Sequence, residues 1–143
     1  MPKAQRSVRI ARPVSEVFAF FADPANEKSW RGDGVKEFTP QGPIAVGTRI
    51  RQVVAGPMGR EIDADIEITG LDTDARYAFR GVAGPVRPTG EYTFRPVEEG
   101  TEVTFRLDAP LSGMKKVFMG NAVEKAMNAE MACLDTARTL LEA

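Results

Sequence analysis

The stretch Glu61-Ile62-Asp63-Ala64-Asp65-Ile66-Glu67-Ile68 alternates acid and apolar residue at every step. A period of two belongs to an extended strand with one dry and one wet face. The run therefore predicts four apolar side chains pointing inward and four acids pointing to solvent. The same period recurs along the chain. Residues 48–54 set Ile50, Gln52 and Val54 on one face and Arg49 and Arg51 on the other. Tyr77 and Phe79, Tyr92 and Phe94, and Val103, Phe105 and Leu107 are each spaced by two. Residues 7–11 and 35–39 read as outer strands. Turn signals separate these runs: Gly56-Pro57-Met58-Gly59, residues 72–74, and Glu99-Gly100. About seven strands joined mostly by hairpins make an antiparallel sheet.

Helical periodicity flanks this block on both sides. Val14, Val17, Phe18 and Phe21 follow i, i+3, i+4, i+7 and form one apolar stripe. Pro13 suits the first turn of that helix, and Asp23-Pro24 ends it and opens a second short helix toward Trp30. From Ser112 onward proline is absent and the helical period returns, with Gly120 a point where the helix can bend. That predicts one helix of roughly 25 to 30 residues, about 40 Å long. An antiparallel sheet with one apolar face has to be covered, and the long helix is the available cover. A strongly curved sheet wrapped on a lone helix is expected to leave a hollow. The Phe-rich helices would close one end of it, with Trp30 at the rim.

Composition removes several function classes. With no histidine among 143 residues, Ser-His and Cys-His catalysis and imidazole metal sites are excluded. The single Cys133 rules out an internal disulfide and a thiolate metal cluster; nothing near it in sequence would activate it. A net charge of −1 argues against a nucleic-acid partner. No apolar run reaches the length of a membrane span, and the N-terminus lacks the apolar core of a signal peptide, so the expected location is cytoplasmic. No linker or repeat divides the chain, and the expectation is one domain over residues 1–143. No cofactor and no metal are expected, and a carboxylate-only site is the one metal chemistry the composition leaves open.

The inward strand positions supply a candidate lining of Ile50, Gln52, Ile66, Tyr77 and Phe79, continued by Tyr92, Phe94 and Phe105. Such aromatics either fill a core or wall a pocket, and pockets for apolar ligands have this composition. Gln52 is the one polar residue on its inward face, which implies an internal hydrogen-bond partner, or else a register one residue out. On the terminal helix Met119, Val123, Met127, Leu134, Ala137 and Leu141 share a face, and Glu130 lies near the middle of it. A carboxylate there is a candidate acid, base or ligand anchor. The competing reading turns it to a rim, paired with a base near Arg138. Met119, Met127 and Met131 suit either an adaptable pocket or an ordinary core. Glu61, Asp63, Asp65 and Glu67 read as a solvated face, with Arg49 and Arg51 placed to pair with them, and Arg80 and Arg106 also pointing outward. The segment Gly81-Val82-Ala83-Gly84-Pro85 reads as a loop able to gate a cavity mouth.

Taken together, "SVRIARP", "VSEVFAFFADPANEKSW", "GVKEFTPQGPIAVGTRIRQ", "GTEVTFRLD" and the terminal "TARTLLEA" resemble the START-like, helix-grip superfamily (SRPBCC, Bet v 1-like). The likeness is greatest to its polyketide cyclase/dehydrase and lipid-transport branch. The resemblance covers essentially the whole chain. It implies an α+β helix-grip fold that binds a small hydrophobic ligand, lipid-, aromatic- or polyketide-like, between sheet and helix. Gln52, Tyr77, Tyr92 and Glu130 would then orient the ligand, with Trp30 at the cavity rim. Two rivals remain open: a polyketide cyclase or dehydratase using Glu130 or a tyrosine, and an interaction module with a filled interior that forms a homodimer through a strand edge or the outer sheet face.

Overall fold

A computed structural model describes residues 3–56, 59–84, 86–111 and 113–143, without the side chains of 114–119. Strand β1 (Lys3–Ile10) leads into helix α1 (Val14–Ala22) and, after a 3-10 turn at Pro24–Asn26, helix α2 (Glu27–Arg31). Seven strands follow: β2 (Val35–Pro40), β3 (Arg49–Ala55), β4 (Glu61–Asp63), β5 (Ile66–Asp72), β6 (Arg76–Gly81), β7 (Thr89–Val97) and β8 (Gly100–Asp108). Helix α3 (Met114–Glu142) ends the chain and runs through Gly120 without interruption. The sheet is antiparallel in the order β1-β8-β7-β6-β5-β3-β2, with β4 also paired to β3. The path of seven strands, the tandem helices and the long terminal helix follow the expected α+β helix-grip plan.

Local chemistry accounts for the boundaries. The Asp23 carboxylate accepts from the Ala25 amide at 2.9 Å, holding the turn between α1 and α2. Asp74 and Glu99 take positive φ of 61° and 65° in the β5–β6 and β7–β8 turns, where both hairpins were expected. The residues Pro57 and Met58 of the β3–β4 turn lie outside the described residues.

One strand departs from expectation. The alternating run from Glu61 is broken at Ala64-Asp65 into β4 and β5, which makes eight strands instead of about seven. Both pieces keep one register on β3, Val53 opposite Asp63 and Ile50 opposite Ile66. The break arises because Asp65 is not on the solvated face. It is buried, and its Oδ1 accepts from the Gln52 backbone amide at 3.2 Å, replacing a ladder bond. Arg49 donates to its other oxygen at 3.3 Å. Arg51 pairs with the acidic strand as expected, 3.5 Å from Asp63, and also lies 3.5 Å from Glu37; Arg80 and Arg106, expected only to point outward, reach Glu67 at 2.9 Å and Glu91 at 3.7 Å.

The C-terminal half of α3 is pinned to β1. Arg6 forms a two-pronged bond to Asp135 at 2.7 Å and donates to the Met131 carbonyl. Glu142 accepts from the Ala11 amide and the Leu141 carbonyl from Arg12, both at 2.8 Å. The close backbone approaches of α3 are to β1 and α2. Beneath it lies a continuous apolar core that includes Ile10, Val17, Ile50, Ile68, Val103, Phe105 and Leu134. Phe105→Ala removes a ring that is 2% exposed and should cost about 3–5 kcal/mol of unfolding free energy, read as a lower urea midpoint with unchanged slope.

Candidate functional site

The polar centre of the concave side is Arg31, the last residue of α2. Its side chain is 11% exposed, and four hydrogen bonds occupy it. Nε and Nη2 donate to the two oxygens of Glu130 at 3.0 and 2.9 Å. Nη1 donates to Glu27 Oε2 at 3.1 Å and to Gln52 Oε1 at 2.7 Å. Gln52 in turn donates through Nε2 to the Ala64 carbonyl at 2.9 Å. The inward amide therefore has internal partners on both ends, with the strand in the expected register.

Glu130 is not an isolated interior carboxylate. Its side chain is 23% exposed and pairs with Arg31, and not with a base near Arg138, which instead reaches Glu142. Arg31 lies on a helix that the 100° spacing of α3 could not place. Trp30 also differs from expectation, because it lies inside at 1% exposure and not at a rim. Its ring meets Phe21 edge-on at 5.1 Å and Tyr92 at 6.2 Å. Its Nε1 is buried without a hydrogen-bond partner among the described residues.

The other candidates divide by position. Tyr92 stacks on Phe105 at 4.1 Å and meets Tyr77 edge-on at 5.9 Å. Phe79, only half-buried, leans on both Tyr92 and Phe105. Phe94 sits farther along, against Phe18 and Phe21. Ile50, Ile66 and Met127 are buried in the same core, and Val123 packs on it half-exposed. Met119 falls on the segment whose side chains lie outside the described residues. Among the described residues a recess of about 710 Å³ opens beside Arg76, Phe79, Glu91 and Leu107, and a smaller one beside Arg12, Pro13 and Gly100.

Electrostatics follow from burying one guanidinium with two carboxylates. Burial raises the Glu27 carboxyl to about 7, against the pull of Arg31. For Arg31 burial acts against the charge, but the Glu130 and Glu27 carboxylates outweigh it and raise its pKa. Burial first, then the Glu27 charge, pushes the phenols of Tyr77 and Tyr92 up, so both stay protonated donors near neutrality. Burial likewise raises the Cys133 thiol, which donates to the Ala129 carbonyl in its own helix.

Glu27 and Arg31 are the residues that sequence reasoning missed. The signal was present: Glu27, Trp30 and Arg31 stand at i, i+3, i+4, so a buried Trp30 brings both charges to its own face.

Two outcomes follow. Arg31→Met strands two carboxylates and should cost about 3–5 kcal/mol in chemical denaturation. Glu27 holds its proton in the fold up to about pH 7, whereas the unfolded carboxyl releases it near 4.5. The folded state thus binds more protons in that window, and stability from this group falls as pH rises through it. Denaturation midpoints of the parent chain minus those of Glu27→Gln, from pH 4.5 to 7.5, should show that decline.

Comparisons with known proteins agree with this architecture. TTHA0849 of Thermus thermophilus is similar, with a TM-score of 0.80 at 22% identity over 96% of this chain and 95% of that one. A START superfamily protein of Mycobacterium smegmatis superposes with a TM-score of 0.78 at 14% identity, over 98% and 97% of the two chains. The di-domain ARO/CYC StfQ of the steffimycin biosynthetic pathway also gives 0.78 at 14% identity, matching 98% of this chain and 50% of its own. Likenesses at such identities show a shared START-like fold. No curated protein matches by sequence. The sequence profile of one family matches residues 1–139, nearly the whole length. The chain belongs to the family described as polyketide cyclase / dehydrase and lipid transport.

Proposed function

We propose that the chain binds a small, largely apolar molecule between the concave face of the sheet and α3, with the polar end of that molecule at the Arg31 cluster. The observation that carries this reading is the cluster itself. Taking a guanidinium and two carboxylates out of water costs several kcal/mol per ion, and apolar residues of like volume often serve stability as well or better. A purely structural interior has little need for Glu27, Arg31, Gln52 and Glu130 beside Trp30 and Tyr92. Family membership and the START-like neighbours support a ligand-binding role of this general kind.

Room for the ligand comes from α3. Its polar ties to other elements among the described residues, at Glu130, Met131, Leu141 and Glu142, anchor its C-terminal half, and on this reading the space opens beside the rest of the helix. The half-buried Phe79 and Val123, with Ile50 and Ile66 beneath, would then line the opened space. The half-buried loop Val82–Ala83–Gly84 is tied back by the Val82 amide on the Asp65 carbonyl at 2.8 Å, and it would border the mouth. Apolar burial would supply affinity at roughly 25 cal/mol per Å² before the costs of association.

A second reading, an enzyme of the cyclase or dehydratase type, is favoured by one observation: Glu27 is an acid poised near neutrality close to two protonated phenols. It would protonate or deprotonate a bound polyketide-like chain while the pocket sets the folded conformer.

Native mass spectrometry of freshly purified protein should show a bound small molecule, and apolar aromatic ligands should change the emission of Trp30, the only tryptophan. A chain that is always empty and whose emission never responds would overturn the binding reading. Glu27→Gln separates the two readings: an enzyme loses turnover and keeps its ligand, whereas a binder changes only in affinity.

A further inference from the structure

The Arg31 cluster carries its own charge rule. A guanidinium has five N–H donors. Four of them, Nε, both of Nη1 and one of Nη2, are taken by Glu130, Glu27 and Gln52. One donor on Nη2 is left. One positive charge faces two carboxylates, so with both ionised the trio carries one net negative charge. The arrangement is the reverse of an anion site, where a guanidinium keeps a free fork for an incoming carboxylate.

Beside it among the described residues are three neutral polar groups, Trp30, Tyr77 and Tyr92. Trp30 Nε1 is a buried donor with no partner among the described residues. The Tyr77 and Tyr92 phenols lie within the influence of both Glu27 and Arg31 and are held protonated. Glu27 uses Oε2 for Arg31, and its Oε1 makes no hydrogen bond among the described residues. A ligand oxygen would find N–H and O–H donors and one carboxylate acceptor. A carbonyl accepts from the donors, and a phenol or alcohol accepts and also donates to Glu27. An anion would have to be desolvated next to surplus negative charge.

We infer that this site, on the binding reading above, selects uncharged oxygen-bearing ligands such as phenols, alcohols and ketones, and rejects carboxylates of the same size and apolarity, free fatty acids included. The selection comes from Glu27 and Glu130 saturating Arg31, not from the shape of the apolar part.

The test compares matched pairs on the full chain at pH 8 by isothermal titration calorimetry: decan-1-ol against decanoate, and 2-naphthol against 2-naphthoate. The uncharged member of each pair should bind at least about tenfold more tightly. Glu130→Gln removes one of the two carboxylates. It should shift the ratio of acid to neutral affinity in each pair several-fold toward the acid. If the acids bind as well as their neutral partners, the charge rule is overturned and the binding function survives. If neither member of either pair binds, and 2-naphthol leaves Trp30 emission unchanged, the binding function itself fails and takes the rule with it. Because the parent chain alone decides the main comparison, an unstable variant does not remove the test.

Discussion

One guanidinium joins three separate parts of this molecule. Arg31 is on α2, and it bonds to Glu27 one turn back, to Gln52 in β3 and to Glu130 in α3. The short helices, the sheet and the terminal helix meet at this point. With Arg6–Asp135, it fixes where α3 crosses the concave face. Losing it would leave two carboxylates stranded in a largely dry interior, so the geometry of the three elements and the charge state of the cluster are set together.

Around that centre the aromatics do two jobs. Trp30, Phe21, Tyr92 and Phe105 interlock at ring separations between 4.1 and 6.2 Å and close one end of the concave side. Phe79, leaning on Tyr92 and Phe105, and Val123 in α3 are only half-buried. The polar cluster thus adjoins a closed aromatic wall through Trp30 and Tyr92. On the proposed reading this arrangement orients a ligand: its oxygen goes to the closed end and its apolar body toward α3.

Much of the fold was legible because strand and helix periods differ and every strand here has one wet face. The inward direction of Gln52, Tyr77, Tyr92 and Phe105 followed from that alone. Asp65 was misread because its position in the alternation is a solvent position. Its carboxylate turns in to take the backbone amide of Gln52 in β3, a partner the alternation does not show. Trp30 was placed at the rim because a five-residue helix has too little pattern to show its orientation.

The sequence by itself determined the order of elements, the faces of the strands and the apolar stripe of α3, since these depend on neighbours within a few residues. Family membership was legible for the same reason, as it is written along the whole chain. Tertiary structure decided which distant groups join Glu27 on Arg31. Glu130 is 99 positions away and Gln52 is 21, and no local period carries that information. The charge of the site is a property of groups brought together from far apart, and only the crossing of α3 over the sheet sets it.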